Sequence, residues 1–265
     1  MKSVLLKAKS VTPPSSSSPG FIYTIDFSPK PTKRALLLID PQNDFIEEWG
    51  TLMVPGGMKD AQTLAKAISD SPHSISQIFT TMDTHQRLHV AHPLFWTNGL
   101  TNPSPFSQIS LAQVQSGMWK ASLPEFQSWA VGYVAELERQ GRFQLTIWPE
   151  HCLVGTKGHA VVDCLASAMH EWEAKTLSST SFLFKGNNAL TEHYSCFKAE
   201  VPKMDDQNTL FNLSFIRELD RYEEIVVAGQ ALSHCVNFSV RDLASAVSSP
   251  TKIIVLTDGS SPIPA

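Results

Sequence analysis

The chain has 265 residues, of which 42% are hydrophobic and 17% are charged, and its formal net charge is −4. This composition is typical of one globular domain, and the negative balance excludes the basic surface of a nucleic-acid-binding protein. The apolar runs are much shorter than the roughly 20 residues of a membrane-spanning helix, and four cysteines are too few for a disulfide framework, so we expect a cytoplasmic protein without membrane contact.

The N-terminal residues differ in composition from the rest of the chain. Residues 8–20 are dominated by serine and proline, and such a segment cannot bury enough apolar surface to become ordered. Residues 21–27 alternate apolar and polar side chains, which predicts a short accessory strand. We therefore expect residues 1–33 to form a flexible leader with an accessory strand, and residues 34–265 to form a single domain.

From residue 34 onward, apolar runs of strand length alternate with segments of helical periodicity. The runs predict buried strands at residues 35–39, 75–82, 181–185, 224–228 and 252–256. The periodic segments predict helices at residues 60–70, 159–172, 209–219 and 233–247. Strands that alternate with helices pair in parallel through right-handed crossovers, so we expect a three-layer α/β fold with a doubly wound, mostly parallel sheet.

Residues 95–146 interrupt this alternation. They contain Trp96, Trp119 and Trp129, several prolines and one segment, residues 124–140, whose pattern predicts a helix. We interpret this stretch as an insertion that forms a lid over the functional site.

In an open parallel sheet, ligands bind at the carboxyl ends of the strands. Asp40 follows the first predicted strand, Lys185 ends the third, and Cys235 comes shortly after the fourth. Each residue also has an ordinary structural explanation. Asp40 fits a carboxylate in a turn, Lys185 fits a solvated side chain before Gly186, and Cys235 fits a buried thiol at the start of a helix. Together they supply a proton acceptor, a cation and a thiol, which are the groups that an activated thiolate nucleophile needs.

A second group of polar residues combines a carboxylate with imidazoles. Its members are Asp83, His85, His89, His92 and, far along the chain, His151. Carboxylate and imidazole are the usual protein ligands of zinc, iron and manganese. The spacing alone also fits histidines that only form hydrogen bonds, so both interpretations stay open at this point.

Six motifs resemble those of the nicotinamidase and isochorismatase-like superfamily, and the resemblance extends over nearly all of residues 35–259. They are the opening motif at 40–45 (DPQNDF), the turn at 54–57 (VPGG), the nicotinamidase segments at 81–85 (TMDTH) and 148–156 (WPEHCLVGT), the catalytic-lysine segment at 184–186 (FKG) and the nucleophile loop at 227–236 (VAGQALSHCV). The resemblance implies a cysteine hydrolase domain of this superfamily.

The resemblance also implies roles for matching residues. Asp40 would be the general base, Lys185 the cation of the triad, and Cys235 the nucleophile. The oxyanion hole of the family consists of backbone N–H groups, which here belong to Cys235 and to Ala231 after a cis peptide bond with Gln230.

The metal ligands that the resemblance implies are Asp83, His85 and His151, with His89 as a further candidate. The implied cofactor is a divalent metal ion, with zinc as the first choice and iron or manganese as alternatives. Members with these metal segments are mostly nicotinamidases, whose metal binds the pyridine nitrogen. We therefore expect a nicotinamide-like small amide as the substrate, and a homo-oligomeric enzyme, since family members commonly form dimers or tetramers.

Two departures from the family pattern concern the pocket. Leu232 and Ser233 stand where nicotinamidases usually carry a Thr-Asp pair, and the long insertion is expected to rebuild the pocket roof with Phe95, Trp96 and Trp119.

Two alternatives remain. One is a metal-free isochorismatase-like hydrolase of another small amide, ureide or vinyl ether. The other is a catalytically idle binding protein, against which the complete set of Asp40, Lys185 and Cys235 argues.

Overall fold

The computed structural model of the chain describes residues 5–8, 23–26, 32–141, 143–248 and 251–263. Two compact units are present, residues 1–32 and residues 33–265. In the first unit, strand β1 (Leu5–Ala8) pairs antiparallel with strand β2 (Tyr23–Asp26), which lies in the segment where we predict an accessory strand. Residues 9–20, which make up most of the predicted leader, lie outside the described residues.

The second unit contains the predicted alternation of strands and helices. Its strands are β3 (Arg34–Ile39), β4 (Gln77–Asp83), β5 (Trp96–Thr97), β6 (Gln108–Ile109), β7 (Lys120–Ala121), β8 (Leu145–Thr146), β9 (Ser181–Lys185), β10 (Glu224–Gly229) and β11 (Lys252–Val255). Its α-helices are α1 (Asn43–Ile46), α2 (Gly57–Asp70), α3 (Leu111–Gln115), α4 (Gln127–Gln140), α5 (Asp163–Thr176), α6 (Leu213–Leu219) and α7 (Asn237–Ala246).

Five of these strands form a central sheet in the order β11-β10-β3-β4-β9, and every neighbouring pair is parallel. The predicted doubly wound α/β fold is therefore confirmed. The order reverses between β3 and β10, and this is the position at which such sheets place their ligand crevice. The register pairs Gly229 with Ile39 and Asp83 with Lys185, so the polar residues that follow or end these strands share one edge of the sheet.

Helices cover both faces of the sheet. In β4, the ring of Phe79 packs edge-on against Phe215 of α6, with 5.5 Å between the ring centroids. The next residue, Thr80, contacts the sulfur of Met169 in α5 at 3.4 Å. Because successive side chains of a strand point to opposite faces, α5 and α6 lie on different sides of the sheet, which gives the three predicted layers.

Two helices begin later than their sequence pattern predicts. Residues 159–162 do not join α5 because the backbone of Val161 forms a β-bridge with Gln42 and the Val162 N–H donates to the Pro41 carbonyl. Helix α6 begins only after Asn212, whose side chain accepts a hydrogen bond from the Phe215 N–H and so caps the helix. Both corrections arise from contacts that helical periodicity does not report.

The insertion has an apolar core of its own. Buried side chains of its short strands and of α3 and α4 form this cluster, which includes Phe95, Trp96, Ile109, Val114 and Tyr133. The segment where we predict a helix begins with a 3₁₀ turn at Pro124–Phe126 and continues as α4. Within the described ranges, none of the helices is long and apolar enough to cross a membrane.

A glycine at the end of β10 is required by the packing of the sheet. Gly229 has φ +121°, and a Cβ atom there would collide with the carbonyl oxygen of Ile39 on β3. We expect Gly229→Ala to lower the free energy of unfolding by about 2 kcal/mol or more, since it combines backbone strain with a steric clash.

The matched control is Gly132→Ala in the exposed part of α4, where an added Cβ meets no atom within 4 Å. This change should raise stability by roughly 0.5 to 1 kcal/mol because alanine favours the helix. Urea denaturation measures both effects. Equal stabilities of the two variants would contradict the proposed close approach of β10 to β3.

Candidate active site

Asp40 lies directly after β3 and is fully buried. Its backbone adopts φ 45°, and its carboxylate accepts a hydrogen bond from the Thr81 hydroxyl at 2.5 Å. The same hydroxyl accepts the Asp40 N–H at 3.0 Å. Thr81 of the neighbouring strand therefore fixes the direction of the predicted base.

Lys185, the last residue of β9, lies at the centre of the site. Its ammonium nitrogen Nζ is 2.9 Å from a carboxylate oxygen of Asp40 and 2.9 Å from one of Asp83. It also donates to the carbonyl of His193 at 2.9 Å and to Cys235 Sγ at 3.6 Å. The structure thus brings the three residues of the predicted triad together around one buried cation.

Cys235 follows β10 in a π-helical turn, Leu232–Val236, which continues into α7. We predict one helix over residues 233–247, and its first turn is therefore wider than an α-helix. The peptide bond between Gln230 and Ala231 is cis, and Ala231 is buried at the pocket beside Cys235.

The ionisable groups of the site shift one another strongly. Burial raises the pKa of the Cys235 thiol well above its usual value, although Lys185 opposes this effect. Burial also raises the pKa of Asp40 against the same opposition. For Lys185, burial favours the neutral amine, but Asp40 and Asp83 together hold its pKa well above the ordinary value. The resting site therefore combines a thiol with a permanent cation, and the thiol needs a proton acceptor to become a nucleophile.

A small pocket opens onto Cys235. Aromatic rings form much of its wall, and the lining residues include Phe45, Trp148, Tyr194 and His234. Its free volume is about 20 Å³, which is room for about one water molecule. An aromatic wall beside a nucleophile suits a planar substrate with one reactive carbonyl group.

The prediction that Phe95, Trp96 and Trp119 form the pocket roof is wrong, since none of them lines the pocket. Phe95 and Trp96 are buried in the apolar core of the insertion, and Trp119 packs against that core. The other side chains of the insertion bury the apolar surface of these three residues. The insertion contacts the loop after β9 through apolar packing of Leu190 and through the hydrogen bond from Trp129 to the Leu190 carbonyl at 2.6 Å.

The histidines beside the triad share one orientation. The Nδ1 atom of His85 lies 3.2 Å from the Gly186 carbonyl oxygen, and that of His151 lies 2.8 Å from the Pro149 carbonyl oxygen. A carbonyl oxygen only accepts hydrogen bonds, so each Nδ1 carries a proton, and Nε2 is the ring nitrogen that can offer its lone pair to a metal ion. Backbone carbonyls commonly fix metal-binding histidines in this way.

These lone pairs converge on a carboxylate. Asp83 Oδ2 lies 3.0 Å from His85 Nε2 and 3.3 Å from His151 Nε2. In the ion-free site burial alone would raise the pKa of Asp83, but the positive charges of a protonated His85 and of Lys185 hold it well below its usual range. Three acceptor atoms that face one another at these distances fit a cation between them, so the donor set suits a divalent metal ion.

Two further residues belong to this donor cluster, and the sequence prediction did not assign them as ligands. His92 groups with His85 and His151, and Glu192 groups with His85 and His89, as sets of buried side chains that could hold an ion. Burial lowers the pKa of His92 to about 2, which keeps the ring neutral. His92 stood in the histidine-rich segment, whereas Glu192 lies in a loop after β9 without any motif signal.

The opening motif supports the site through its polar side chains. Gln42 donates to the carbonyl of Asp83 at 2.7 Å and to that of His159 at 3.0 Å, and accepts the Asp83 N–H at 2.7 Å. Asp44 accepts the N–H of Cys152, next to His151, at 2.6 Å. The motif therefore holds the backbone of two candidate metal ligands.

No family model matches the chain. Two curated nicotinamidases do, each over most of its length. The nicotinamidase of Saccharomyces cerevisiae is 24% identical over 232 residues, which cover 87% of this chain and 88% of the relative. That of Escherichia coli is 25% identical over 230 residues, which cover 85% of this chain and 82% of the relative. The chain is therefore similar to nicotinamidases over most of its length.

Solved structures of a nicotinamidase and a pyrazinamidase share the fold. The yeast nicotinamidase superposes with a TM-score of 0.59 at 21% identity, and the comparison covers 87% of this chain and 89% of that one. The pyrazinamidase of Pyrococcus horikoshii, solved in complex with zinc, superposes with a TM-score of 0.51 at 18% identity, covering 88% of each chain.

The role of Gln42 can be tested by its removal. Gln42→Leu keeps a similar volume but leaves both backbone groups of Asp83 without their buried partner, which costs about 1 to 3 kcal/mol for each group. We expect the free energy of unfolding in urea to fall by about 3 kcal/mol. The exposed Gln115→Leu, at the end of α3, is the control and should change stability by less than about 0.5 kcal/mol. A similar loss of stability in both variants would contradict the idea that Gln42 holds the backbone of Asp83.

Proposed function

We propose that the chain is a cysteine amidohydrolase that releases ammonia from nicotinamide or a similar small carboxamide through a thioester intermediate. The curated relatives indicate an amidohydrolase that acts on carbon–nitrogen bonds. The observation that carries the proposal is the arrangement at Lys185, whose ammonium contacts both Asp40 and Cys235. Cys235 in turn lines a small aromatic pocket.

The reaction begins with proton transfer and attack. Asp40, held by Thr81, accepts the proton of the Cys235 thiol, and Lys185 stabilises the resulting thiolate by its charge. The sulfur then forms a bond to the carboxamide carbon, and the electron pair of the carbonyl moves to its oxygen.

The oxyanion that forms lies beside the nucleophile loop. We propose that the backbone N–H groups of Ala231 and Cys235 donate hydrogen bonds to it. Donors of this kind typically contribute 10²-fold to 10³-fold in rate each.

In the second half of the reaction, Asp40 acts first as a proton donor and then as a proton acceptor. Asp40 gives its proton to the amide nitrogen, the carbon–nitrogen bond breaks, and ammonia leaves. Water then loses a proton to Asp40 as its oxygen bonds to the thioester carbon. The carbon–sulfur bond breaks and the thiolate regains the proton, which releases the carboxylic acid and restores the thiol.

The same proposal includes a divalent metal ion next to the pocket, with zinc as the first choice and iron or manganese as alternatives. Asp83, His85 and His151 would hold it, since their acceptor atoms already face one another. When bound, the ion supplies positive charge that can orient a polar ring substituent of the substrate. The convergence of a carboxylate oxygen and two imidazole nitrogens on one point supports the metal-containing form.

Replacing the nucleophile tests the proposal. Cys235→Ala should reduce ammonia release by about 10³-fold or more, since the thioester can no longer form. Cys164→Ala, at a half-buried thiol on α5, is the matched control and should keep its activity. Ammonia is measured with a panel of nicotinamide, pyrazinamide, benzamide and an aliphatic amide. After acid quench, intact mass analysis should detect an acyl adduct on the wild-type chain and none on Cys235→Ala.

Two outcomes would overturn the proposal. One is the release of ammonia at equal rates from the wild type and Cys235→Ala. The other is the absence of release from every amide of the panel by the metal-loaded protein.

A further inference from the structure

A larger cavity lies at the outer edge of the sheet, between β9 and the start of α6. Its free volume is about 460 Å³, whereas the pocket beside Cys235 offers about 20 Å³. The residues that line it come from β9, from the loop that follows β9 and from the first turn of α6. Cavities of this size commonly hold small organic ligands, so its wall indicates which ligand would fit.

His193 lies at the inner end of this cavity. It is 5% exposed, whereas Gln207 and Asn208 at the mouth are exposed. Its Nδ1 atom is buried and has no hydrogen-bond partner among the described residues. Such atoms are rare in protein interiors because they have given up the hydrogen bonds of water. The triad uses only the backbone carbonyl of His193, which accepts from Lys185 at 2.9 Å, so the imidazole is available to a ligand.

The side wall of the cavity is aromatic. It is lined by Phe184, Phe197 and Phe211, and the rings of Phe197 and Phe211 are stacked at 6.4 Å with an angle of 26° between their planes. Gln207 and Asn208 add amide groups at the mouth. Aromatic rings stack on the faces of nucleobases, and amide side chains pair with the donor-and-acceptor edge of adenine. The wall therefore suits a planar heterocycle with polar edges.

The charges around the cavity favour an uncharged ligand. Lys185 is the only charged side chain among the described residues that line it. Its ammonium is already held by Asp40, Asp83 and the carbonyl of His193, at 2.9 Å from each. A phosphate or carboxylate in the cavity would lose its hydration without gaining a free cation, which is unfavourable.

We propose that this cavity is a second ligand site, separate from the pocket beside Cys235, and that it binds an uncharged purine nucleoside. The base stacks against the phenylalanine rings, and the imidazole of His193 forms a hydrogen bond to its polar edge. The ribose faces the open mouth beside Gln207. Binding at this site does not depend on the proposed amide hydrolysis, so failure of that reaction would leave the site unaffected.

Isothermal titration calorimetry of the whole chain with adenosine tests the site. We expect a dissociation constant of about 100 µM or lower, as for a small ligand in a pre-formed pocket. Ribose should not bind, because it has no ring face to stack. Absence of binding at millimolar adenosine would overturn the proposal, and tighter binding of AMP than of adenosine would overturn it by showing an anion site.

Two histidine variants locate the bound nucleoside. His193→Leu keeps a similar volume but removes the polar ring edge, so it should weaken adenosine binding by about 10-fold or more. Because it also removes a buried atom without a partner, its stability in urea should equal or exceed that of the wild type. A purely structural role would instead lower stability and leave the affinity unchanged. His234→Ala, in the pocket beside Cys235, is the matched control and should keep the affinity within about twofold of the wild type.

A third variant at the exposed mouth does not disturb the interior. Gln207→Ala should weaken adenosine binding by about threefold through loss of its amide, and Gln115→Ala, on the exposed surface of α3, should leave the affinity unchanged. An unchanged affinity in both His193→Leu and Gln207→Ala would overturn the proposal. A larger loss in His234→Ala than in His193→Leu would also overturn it, because adenosine would then lie beside Cys235.

Discussion

The buried ammonium of Lys185 is the interaction on which the site depends. It lies between the carboxylates of Asp40 and Asp83 at 2.9 Å from each. Each carboxylate would be costly to bury without this cation, and removing one member of such a set typically costs about 3 to 5 kcal/mol. The parallel register of β4 and β9 aligns Asp83 with Lys185. The sheet thus fixes the charge balance before any substrate or metal binds.

The Lys185 ammonium lies between the catalytic thiol proposed at Cys235 and the candidate metal site at Asp83. Lys185 contacts the proposed nucleophile Cys235 on one side and the candidate metal ligand Asp83 on the other. A metal ion that draws charge from Asp83 would change how strongly Lys185 is held, and through Lys185 the field at the sulfur. Such an ion would therefore be electrostatically coupled to Cys235 without direct contact.

The sequence predicts the sheet well because parallel strands buried on both faces are continuous apolar runs, as in β3 and β10. It predicts that Asp40, Lys185 and Cys235 lie together because strand ends converge at one edge, and the structure brings them together. The pocket wall and the place of His92 beside His85 and His151 depend on loops and on ring orientation, which no local pattern encodes. Glu192 comes near His85 only through the tertiary structure.

The pocket has a consequence for how substrate enters. A volume of about 20 Å³ admits about one water molecule, and a carboxamide on an aromatic ring is much larger. The pocket is therefore narrower than such a ring, and the side chains of Trp148, Tyr194 and His234 have to move apart before the ring can bind. The apparent affinity is then the intrinsic affinity reduced by the fraction of molecules that are open. Changes far from Cys235 that favour the open form would tighten binding without any new contact to the substrate.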